Sequence, residues 1–487
     1  MLPLTLMAFG ASPLAAEIRF ADMTDRLPEH VYDGGWEHFV GGGVAVFDCN
    51  ADNLPDIFAA GGENPAILLR NDGNFSFSNM DLDAILGVTG AYPINIDGDA
   101  WMDLFVLRVG PNIALRGGPD CSFIDATADW GIPQTDQWST AFSAWWEDDD
   151  RPVMAVGNYV DRSNPDGPFE ACDTNTILRP TSTGYVAEAL APGYCALSIL
   201  AGPDARGDLA LRLSNDRHYY VRNGAEQLWN IEQKRFMTEE EGWPRVSLWG
   251  MGIASTDLTG DGVDEVMLTS MGDQLLQLPT PEGAYISAPY EIGTYAHRPH
   301  IGDDGRPSTG WHAQFGDINN DTRPDLFIAK GNVDQMPGNA MNDPNNLLIQ
   351  NDKNSFDEFA ATAGVADSAR SRGAALADFD LDGRLDLIVV NRRAPMRLYR
   401  NETTSGNWIS LQLQQDGGNP AAVGSQITVN GQIQYARIGG GHASGQATPL
   451  HFGLGQAKSA TISITWPDGQ TTIRQVDVNQ FITVKKP

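Results

Sequence analysis

The stretch Asp378-Phe-Asp-Leu-Asp-Gly-Arg-Leu-Asp386 decides how the rest of the chain is interpreted. Its carboxylates occupy positions 1, 3, 5 and 9, and Gly383 occupies position 6. Oxygen ligands at this spacing can surround one hard cation, and the backbone carbonyl of Arg384 at position 7 can complete the shell. Short apolar runs flank the loop at 374–377 and 387–390. Such runs are typical of β-strands, so we interpret the stretch as a calcium-binding loop between two strands.

The same spacing recurs four more times, each time before a short apolar run. The predicted calcium ligands at positions 1, 3, 5 and 9 are Asp48, Asn50, Asp52 and Asp56; Asn95, Asp97, Asp99 and Asp103; Asp257, Thr259, Asp261 and Glu265; Asp317, Asn319, Asp321 and Asp325; and Asp378, Asp380, Asp382 and Asp386. One such loop would be a weak signal, whereas five in one chain are a strong one. Calcium could act as a signal or mediate contact with a ligand, or it could stabilise each hairpin. Because the protein itself supplies the ligand positions, we favour the structural role.

The spacing of the loops predicts the architecture. They begin at 48, 95, 257, 317 and 378, so adjacent steps are 47, 60 and 61 residues, and the 162-residue gap has room for two more units. Two degenerate loops lie in that gap, at 147–152 and 202–208, and neither offers a full ligand set. Repeats of this length with several short strands each indicate a propeller. We predict an all-β fold, a seven-bladed β-propeller followed by a small C-terminal β domain.

Three segments follow from this interpretation. Residues 1–16 resemble the apolar core and small-residue cleavage region of a secretory signal peptide, without the usual basic start. Residues 17–401 should form the propeller, whose last unit lacks a fourth strand after Asn401. The N-terminal Phe20-Ala-Asp-Met-Thr24 has the pattern of the fourth strand Phe123-Ile-Asp-Ala-Thr127, so we expect it to close the ring. Residues 402–487 alternate apolar and polar residues at period two, which predicts a separate β domain.

Charge and hydropathy limit the partners. The chain has 63 Asp and Glu against 32 Lys and Arg, a formal net charge of −31. Such a polyanion argues against binding to nucleic acid or to anionic membrane surfaces. No segment after the signal-like start is long and apolar enough to span a membrane. We therefore expect a protein that is secreted, periplasmic or held at the cell surface.

Four cysteines suit an exported chain with one or two disulfides. Cys172 and Cys195 bracket a segment rich in Pro, Gly and Asp, and we predict a bond between them, worth about 3 kcal/mol by the loop-entropy argument. For Cys49 and Cys121 two interpretations remain open. They either join neighbouring blades or stay as two free buried thiols.

The residues described above resemble two known families. The metal loops resemble FG-GAP (VCBS-like) repeats, the units of the integrin α-subunit propeller. The stretches Gly439-Gly-Gly-His-Ala-Ser-Gly-Gln446, Leu450-His-Phe-Gly-Leu-Gly455, Trp466-Pro-Asp-Gly469 and 422–429 resemble the ASPIC/UnbV domain. The combination is similar to the bacterial relatives of the cartilage acidic protein family. This resemblance implies a secreted, calcium-binding, adhesion-like protein to which no reaction is attached.

Three loops depart from the repeat at position 6, where glycine would ease a left-handed turn. That position holds Asn53, Ala100 and Thr322, and Glu265 replaces the closing Asp of the Asp257 loop. The Asp378 loop fits the pattern best and the Asn95 loop fits it least.

No nucleophile elbow, HExxH motif or Walker loop occurs in the sequence. We therefore predict a non-enzymatic binding or adhesion protein whose partner is an extracellular protein or a glycan. The alternative is a carbohydrate-active protein, a lectin or a polysaccharide lyase or hydrolase, on the same scaffold. Closely spaced Asp residues could suggest glycosidase chemistry, but the metal spacing already accounts for them.

Aromatic and basic residues precede several inner strands. His38, Trp249, Trp311 and Arg372 should lie around the mouth of the ring opposite the calcium loops. They could form a concave ligand face, or they could pack between blades.

Three histidines, His297, His300 and His312, lie in the stretch that leads into the sixth blade. They could bind a transition metal, but we favour an exposed polar loop.

Overall fold

The computed structural model describes residues 17–148, 150–165, 167–216, 224–295, 306–334 and 336–487. The signal-like segment 1–16 lies outside the described residues, as do His297 and His300. Across the described ranges, no helix has the length and apolar character needed to cross a membrane.

Short strands dominate the first 401 residues. They are β1 (Phe20–Asp22), β2 (Val44–Phe47), β3 (Asp56–Ala59), β4 (Ile67–Asn71), β5 (Phe77–Asn79), β6 (Val88–Ile94), β7 (Asp103–Gly110), β8 (Ile113–Gly118) and β9 (Ser122–Asp125). Then come β10 (Gln137–Trp145), β11 (Val153–Asn158), β12 (Asn175–Thr181), β13 (Gly184–Leu190), β14 (Ala196–Pro203), β15 (Leu209–Asn215), β16 (Gln227–Asn230) and β17 (Arg235–Phe236). The rest are β18 (Gly250–Thr256), β19 (Glu265–Ser270), β20 (Leu275–Pro279), β21 (Tyr285–Ser287), β22 (Gly310–Gly316), β23 (Asp325–Lys330), β24 (Asn346–Gln350), β25 (Phe356–Glu358), β26 (Arg370–Ala377), β27 (Asp386–Arg392) and β28 (Arg397–Asn401).

Helices are few and short. The described residues contain one α-helix, α1 (Ala360–Ala363), and five 3-10 turns at Thr24–Arg26, Trp36–His38, Pro119–Cys121, Glu239–Glu241 and Tyr290–Ile292.

In the described part of the chain these strands pair into seven four-stranded antiparallel units. The units are β2–β5, β6–β9, β10–β13, β14–β17, β18–β21, β22–β25 and β26–β28 with β1. The first strand of each unit contacts the first strand of the next, and β26 contacts β2. The units therefore form a closed ring, and the predicted all-β propeller-type fold is confirmed.

Burial explains why the inner strands are continuously apolar. All four residues of β2 and all seven of β27 are buried, because neighbouring units cover both faces of these strands. The outer strand β9 is mostly exposed. Sequence runs such as Leu387–Val390 therefore mark the first two strands of a unit, whereas outer strands carry a weaker apolar pattern.

The N-terminal strand completes the seventh unit. Phe20 pairs with Asn401 and Asp22 with Tyr399, in antiparallel register. Ile18 and Phe20 are each only 6% exposed and belong to the core between the sixth and seventh units.

All four cysteines are bonded. Cys172 is joined to Cys195, and Cys49 is joined to Cys121. The second bond links the first metal loop to the start of the outer strand of the second unit, so of the two interpretations the bond between neighbouring units is correct.

The C-terminal domain is built from two small sheets. Its strands are β29 (Asn407–Gln414), β30 (Gln426–Val429), β31 (Gln432–Tyr435), β32 (Gln446–Ala447), β33 (Leu450–Gly455), β34 (Ser459–Thr465), β35 (Thr471–Asp477) and β36 (Gln480–Lys485). One sheet has the order β33-β29-β36 and the other β31-β30-β34-β35. A core that includes Ile409, Phe452, Ile462 and Trp466 lies between them.

One part of this domain enters the ring. Residues 438–447, which we call the channel segment, form backbone bridges to inner strands at Ala144, Leu200, Ile253 and Ala91. The end of the segment, β32, pairs in parallel with β2 of the first unit. The channel segment therefore fills the middle of the ring, a role that the sequence analysis did not predict for 439–446.

Glycines on the inner strands make room for this segment. A Cβ atom on Gly43 would lie 1.8 Å from the carbonyl oxygen of Ala443, and one on Gly90 would lie 2.0 Å from it. A Cβ atom on Gly373 would lie 2.4 Å from the hydroxyl of Ser444 in the same segment. One on Gly252 would lie 3.2 Å from the carbonyl of Gly441, but only 2.2 Å from the carbonyl of Trp311 in the next unit. Each of these glycines stands five residues before the first position of its metal loop, so the repeat carries a position adapted to the segment.

Candidate functional site

The closing carboxylate of each metal loop is buried and binds the backbone. Position 9 is Asp56, Asp103, Glu265, Asp325 or Asp386, and none of these is more than 2% exposed. One carboxylate oxygen accepts the N–H of the second loop residue in all five loops, at 2.7–2.9 Å. In four loops the other oxygen accepts an N–H from the third strand of the unit. The closing residue thus ties the loop to two strands of its blade.

The first position shapes the loop from the other end. In the Asp378 loop the two carboxylate oxygens of Asp378 accept the N–H groups of Asp382 and Gly383, at 3.0 and 2.8 Å. Asp48, Asp257 and Asp317 make the same pair of bonds to positions 5 and 6 of their loops. Four of the five loops therefore share one conformation.

The Asp378 loop brings three carboxylates together. One oxygen each of Asp378, Asp380 and Asp382 lie within 4.8 Å of one another. The donor set consists of carboxylate and carbonyl oxygens, which are the ligands that Ca²⁺ prefers. Asp378, Asp380 and Asp382 are thus the residues that fit a calcium ion best. The ion would add to the charge balance that Arg384 and Arg400 already supply to this cluster. Both oxygens of Asp386 accept backbone N–H groups instead.

The Asn95 loop differs from the other four. The side-chain amide of Asn95 donates to the carbonyls of Asp99 and Trp101, at 2.8 and 3.0 Å. All five loops have a left-handed residue at position 4, which is Gly98 in this loop. The other four loops are left-handed at position 6 as well, including Thr322 at φ 85°, whereas Ala100 is not. Amide donors turned into the loop fit a cation poorly, in line with the departure seen in the sequence.

Burial changes the acidity of these loops. It raises the pKa of Asp56, Asp103, Glu265, Asp317 and Asp378 to about 7. Burial raises the pKa of Asp386 well above its usual range. The physical cause is the cost of keeping a charge away from water, to which neighbouring carboxylates add. A bound cation would remove that cost.

The degenerate loop at 202–208 closes by a different arrangement. Asp204 accepts the N–H groups of Arg206 and Asp208, at 2.8 and 3.0 Å, and so forms a local turn. In the loop at 147–152, Glu147 pairs with Arg179 of the neighbouring strand β12. Residue 149 of that loop lies outside the described residues.

The mouth opposite the metal loops is not the aromatic rim expected from the sequence. His38 is 6% exposed, Trp311 and Arg372 are fully buried, and Trp249 is half-buried. The Arg372 guanidinium lies 3.9 Å from the centre of the Trp311 ring and donates to the carbonyl of Phe39. Of the two alternatives, packing between units is the one that describes Trp311 and Arg372, and His38 is buried with them.

A smaller accessible feature does lie at this mouth. A cavity of about 350 Å³ is lined by Asp33, Gly34, Gly35, Glu63, Asn64 and Arg393. Trp36, the next residue along the chain, is 54% exposed, and its ring lies 4.8 Å from that of Phe39. The sequence analysis missed Trp36, although its place directly after Gly34 and Gly35 is typical of a residue in an exposed turn.

His312 lies inside the ring, so the expected exposed polar loop is wrong for this residue. It occupies the position where other units have a channel-facing glycine, and its Nδ1 accepts the N–H of His442 at 3.1 Å. The Nε2 of His442 accepts the N–H of Gly41 at 3.2 Å. Burial lowers the pKa of His312 to about 4 and that of His442 to about 3, so both rings are neutral and help to fix the channel segment.

Family comparisons agree with this geometry. Residues 48–106 and 317–389 match the family described as FG-GAP-like repeat. Residues 415–487 match the family described as ASPIC and UnbV. The FG-GAP-like matches contain the metal loops that begin at 48, 95, 317 and 378. The ASPIC and UnbV match contains the channel segment.

Curated relatives match over a short region. Cartilage acidic protein 1 of Mus musculus and that of Homo sapiens are each 28% identical over 130 residues, which is 24% of this chain and 20% of the relative. The match therefore spans about a fifth of the length of these relatives.

Solved structures with a similar fold share little sequence identity with this chain. BBS1N in complex with ARL6DN is 9% identical, with 80% of this chain and 98% of that chain covered and a TM-score of 0.47. YCF48 bound to D1 peptide is 10% identical, with 81% and 98% covered and a TM-score of 0.44. The family matches at 48–106, 317–389 and 415–487 identify the chain as a protein with FG-GAP-like repeats and a C-terminal ASPIC and UnbV domain.

Proposed function

We propose that the protein is a secreted, calcium-binding β-propeller that acts as a non-enzymatic binding or adhesion protein. The observation that carries the proposal is the recurrent acidic loop, in one copy of which the half-buried carboxylates of Asp378, Asp380 and Asp382 converge. Calcium is mainly structural in this proposal, because the closing carboxylates already bind the backbone of their own blades. The ion stabilises each hairpin by balancing charges that burial makes costly.

Two disulfides support an extracellular or periplasmic location. Both bonds join segments that belong to different strands or units, and all four cysteines take part. Bonds of this kind persist in oxidising compartments and are rare in the cytosol. The signal-like sequence at 1–16 points in the same direction.

The mouth beside Trp36 is the surface that we propose for a partner. It offers an exposed aromatic ring next to carboxylates and the Arg393 guanidinium. Aromatic and arginine side chains are enriched where proteins bind partners, and an aromatic ring also suits a sugar. The partner would be an extracellular protein or a glycan.

Calcium titration of the metal-free protein tests the central proposal. Isothermal titration should report at most five ions per chain, because the loops at 147–152 and 202–208 lack full ligand sets. Asp382→Asn should remove or greatly weaken one site, since it takes away one of the three converging carboxylates. The matched control is Asp208→Asn in the degenerate loop, which should leave the number of ions unchanged. No heat of binding in the wild type would refute the proposal.

Trp36→Ala tests the partner surface. A glycan array and a panel of purified extracellular proteins would first identify a ligand of the wild-type protein. The substitution should then weaken binding about tenfold or more, as expected for an aromatic anchor. Tyr290→Ala is the matched control, because Tyr290 is 77% exposed but follows the outer strand of the fifth unit.

Two outcomes of that experiment count against the proposal. Equal binding by the wild type and Trp36→Ala would show that the partner binds elsewhere. Release of shorter products from a bound polysaccharide would favour the carbohydrate-active alternative over a binding protein.

A further inference from the structure

The C-terminal domain contacts the Asp257 loop through an ion pair between Arg437 and Asp264, and it packs directly on the Asp317 and Asp378 loops. In the Asp317 loop, the carbonyl of Asn319 accepts the N–H of Gly406 at 2.9 Å, and the carbonyl of Asn320 accepts the N–H of Gly455 at 2.8 Å. A Cβ atom on Gly453 would lie 2.0 Å from a carboxylate oxygen of Asp317. These are direct contacts between predicted calcium ligands or their neighbours and residues of the C-terminal domain.

The Asp378 loop adds a second contact surface beside the first. A Cβ atom on Gly383 would lie 1.8 Å from the Trp408 ring, so the indole lies directly on position 6 of this loop. The side-chain amide of Asn320 donates to the carbonyl of Gly383 at 2.8 Å and joins the two loops. His451 in turn bonds the Asn320 side chain at 2.7 Å, and its ring stacks on Trp408. The two loops and the domain therefore form one contact network.

The Asp48 loop makes different contacts. A cavity of about 680 Å³ beside the C-terminal domain is lined by Asp48 as well as by Asp317 and Asp378, so it does not distinguish the loops. The described hydrogen bonds of Asp48 stay within its own loop, whereas the Asp317 loop also accepts bonds from the C-terminal domain. This difference provides an internal comparison between loops of the same sequence pattern.

We propose that the loops at 317–325 and 378–386 form a calcium-dependent latch that holds the C-terminal domain on this face of the ring. The proposal rests on the calcium binding proposed above. The ligand positions 317, 319 and 321 surround Asn320, so an ion that fixes these side chains also fixes the carbonyls that dock Gly406 and Gly455. Without the ion, repulsion among the carboxylates opens the loops and removes those acceptors.

The channel segment limits what the latch can release. The N–H of Gly440 donates to the carbonyl of Ile199 at 2.7 Å, and the N–H of Gly445 donates to Ala91 at 3.0 Å. These bonds lie inside the ring, away from the carboxylates of the metal loops. The domain should therefore loosen at residues 404–414 and 448–456 while the channel segment remains in place as a pivot.

Hydrogen exchange of the full chain, followed by mass spectrometry, tests the latch. The comparison is between protein in excess calcium and protein stripped with EGTA. Peptides that contain Gly406 and Gly455 should exchange at least about tenfold faster after stripping, because their N–H groups lose the loop carbonyls. Peptides from β34 and β35 should keep their rates, since they pair within the domain itself.

A matched pair of variants locates the effect. Asp321→Asn and Asp52→Asn each remove the carboxylate at position 5 of one loop. In excess calcium, Asp321→Asn should speed the exchange of Gly406 and Gly455, whereas Asp52→Asn should leave both rates unchanged. Equal acceleration by the two variants would overturn the latch, because it would show a general loss of stability and not a local contact.

The outcomes separate the latch from the calcium proposal. Calcium binding by titration with no change in the exchange of Gly406 and Gly455 would overturn the latch and leave calcium binding standing. Absence of calcium binding by titration would overturn both.

Discussion

Removal of calcium with excess EGTA should lower the Tm of the protein by roughly 10 °C or more. An ion that binds only the folded state stabilises it by about 2.7 kcal/mol at a hundredfold excess over Kd, and up to five loops contribute. A change of 1 kcal/mol shifts Tm by a few degrees or less in a large domain. Differential scanning calorimetry of metal-free and calcium-loaded protein measures the difference, and added calcium should restore the higher Tm. An unchanged melt after stripping would contradict calcium as a structural ion.

The effect of stripping should depend on pH in a defined direction. Because burial raises the pKa of Asp56, Asp103 and Asp378 to about 7, the folded metal-free protein binds more protons than the unfolded chain. The contribution of these carboxylates to stability is therefore fully present below their ordinary pKa of 3.8 and is lost as pH rises towards 7. Calcium offsets this loss, so the difference in Tm should be larger at neutral pH than near pH 5. A difference that grows as pH falls would contradict the role assigned to these carboxylates.

The sequence predicts the placement of the acidic loops between strands well because their pattern is local. The predicted ligands of each loop lie within nine residues, and the last of them is the first residue of an apolar strand. The same local pattern revealed the departure of Asn95, whose amide replaces a carboxylate at position 1. A short-range code of this kind needs no knowledge of the rest of the fold.

The interior of the ring could not be predicted in this way. Gly41 and His442 are hydrogen-bonded across 401 residues of sequence, so no local pattern places the channel segment inside the ring. The glycines at 43, 90, 252 and 373 share one register position, but the reason for two of them becomes visible only when Ala443 lies against Gly43 and Gly90.

At the mouth opposite the metal loops, the exposure of the aromatic residues could not be predicted from the sequence. An aromatic residue before an inner strand, such as Trp311, has the same sequence signature whether it faces solvent or a neighbouring unit. Packing against Arg372 from the adjacent unit decides between them, and that contact depends on closure of the ring.

Deletion of residues 17–25 from the mature chain should destabilise the whole ring. Phe20 and Ile18 lie in the core with Leu387 and Val389, and burial of two such side chains is worth roughly 3–6 kcal/mol. The deletion also removes the antiparallel pairing of β1 with β28, including the bond from the N–H of Met23 to the carbonyl of Leu398 at 2.8 Å. It would leave β28 as an open sheet edge, whose unpaired backbone groups favour aggregation.

Substitutions near the same strand distinguish two causes of lost stability in the deletion variant, the loss of buried side chains and the shortening of the chain. Phe20→Ala alone should cost about 3–5 kcal/mol in the free energy of unfolding, as expected for a buried aromatic residue. Arg19→Ala should cost little, because the Arg19 side chain is 64% exposed and pairs only with Glu402 at the surface. Urea unfolding and resistance to protease measure all three variants. If the deletion variant kept the wild-type Tm and protease resistance, closure of the ring would not depend on β1. Loss of stability in the deletion and in Phe20→Ala, with Arg19→Ala unchanged, would assign the stabilisation to the buried face of this strand.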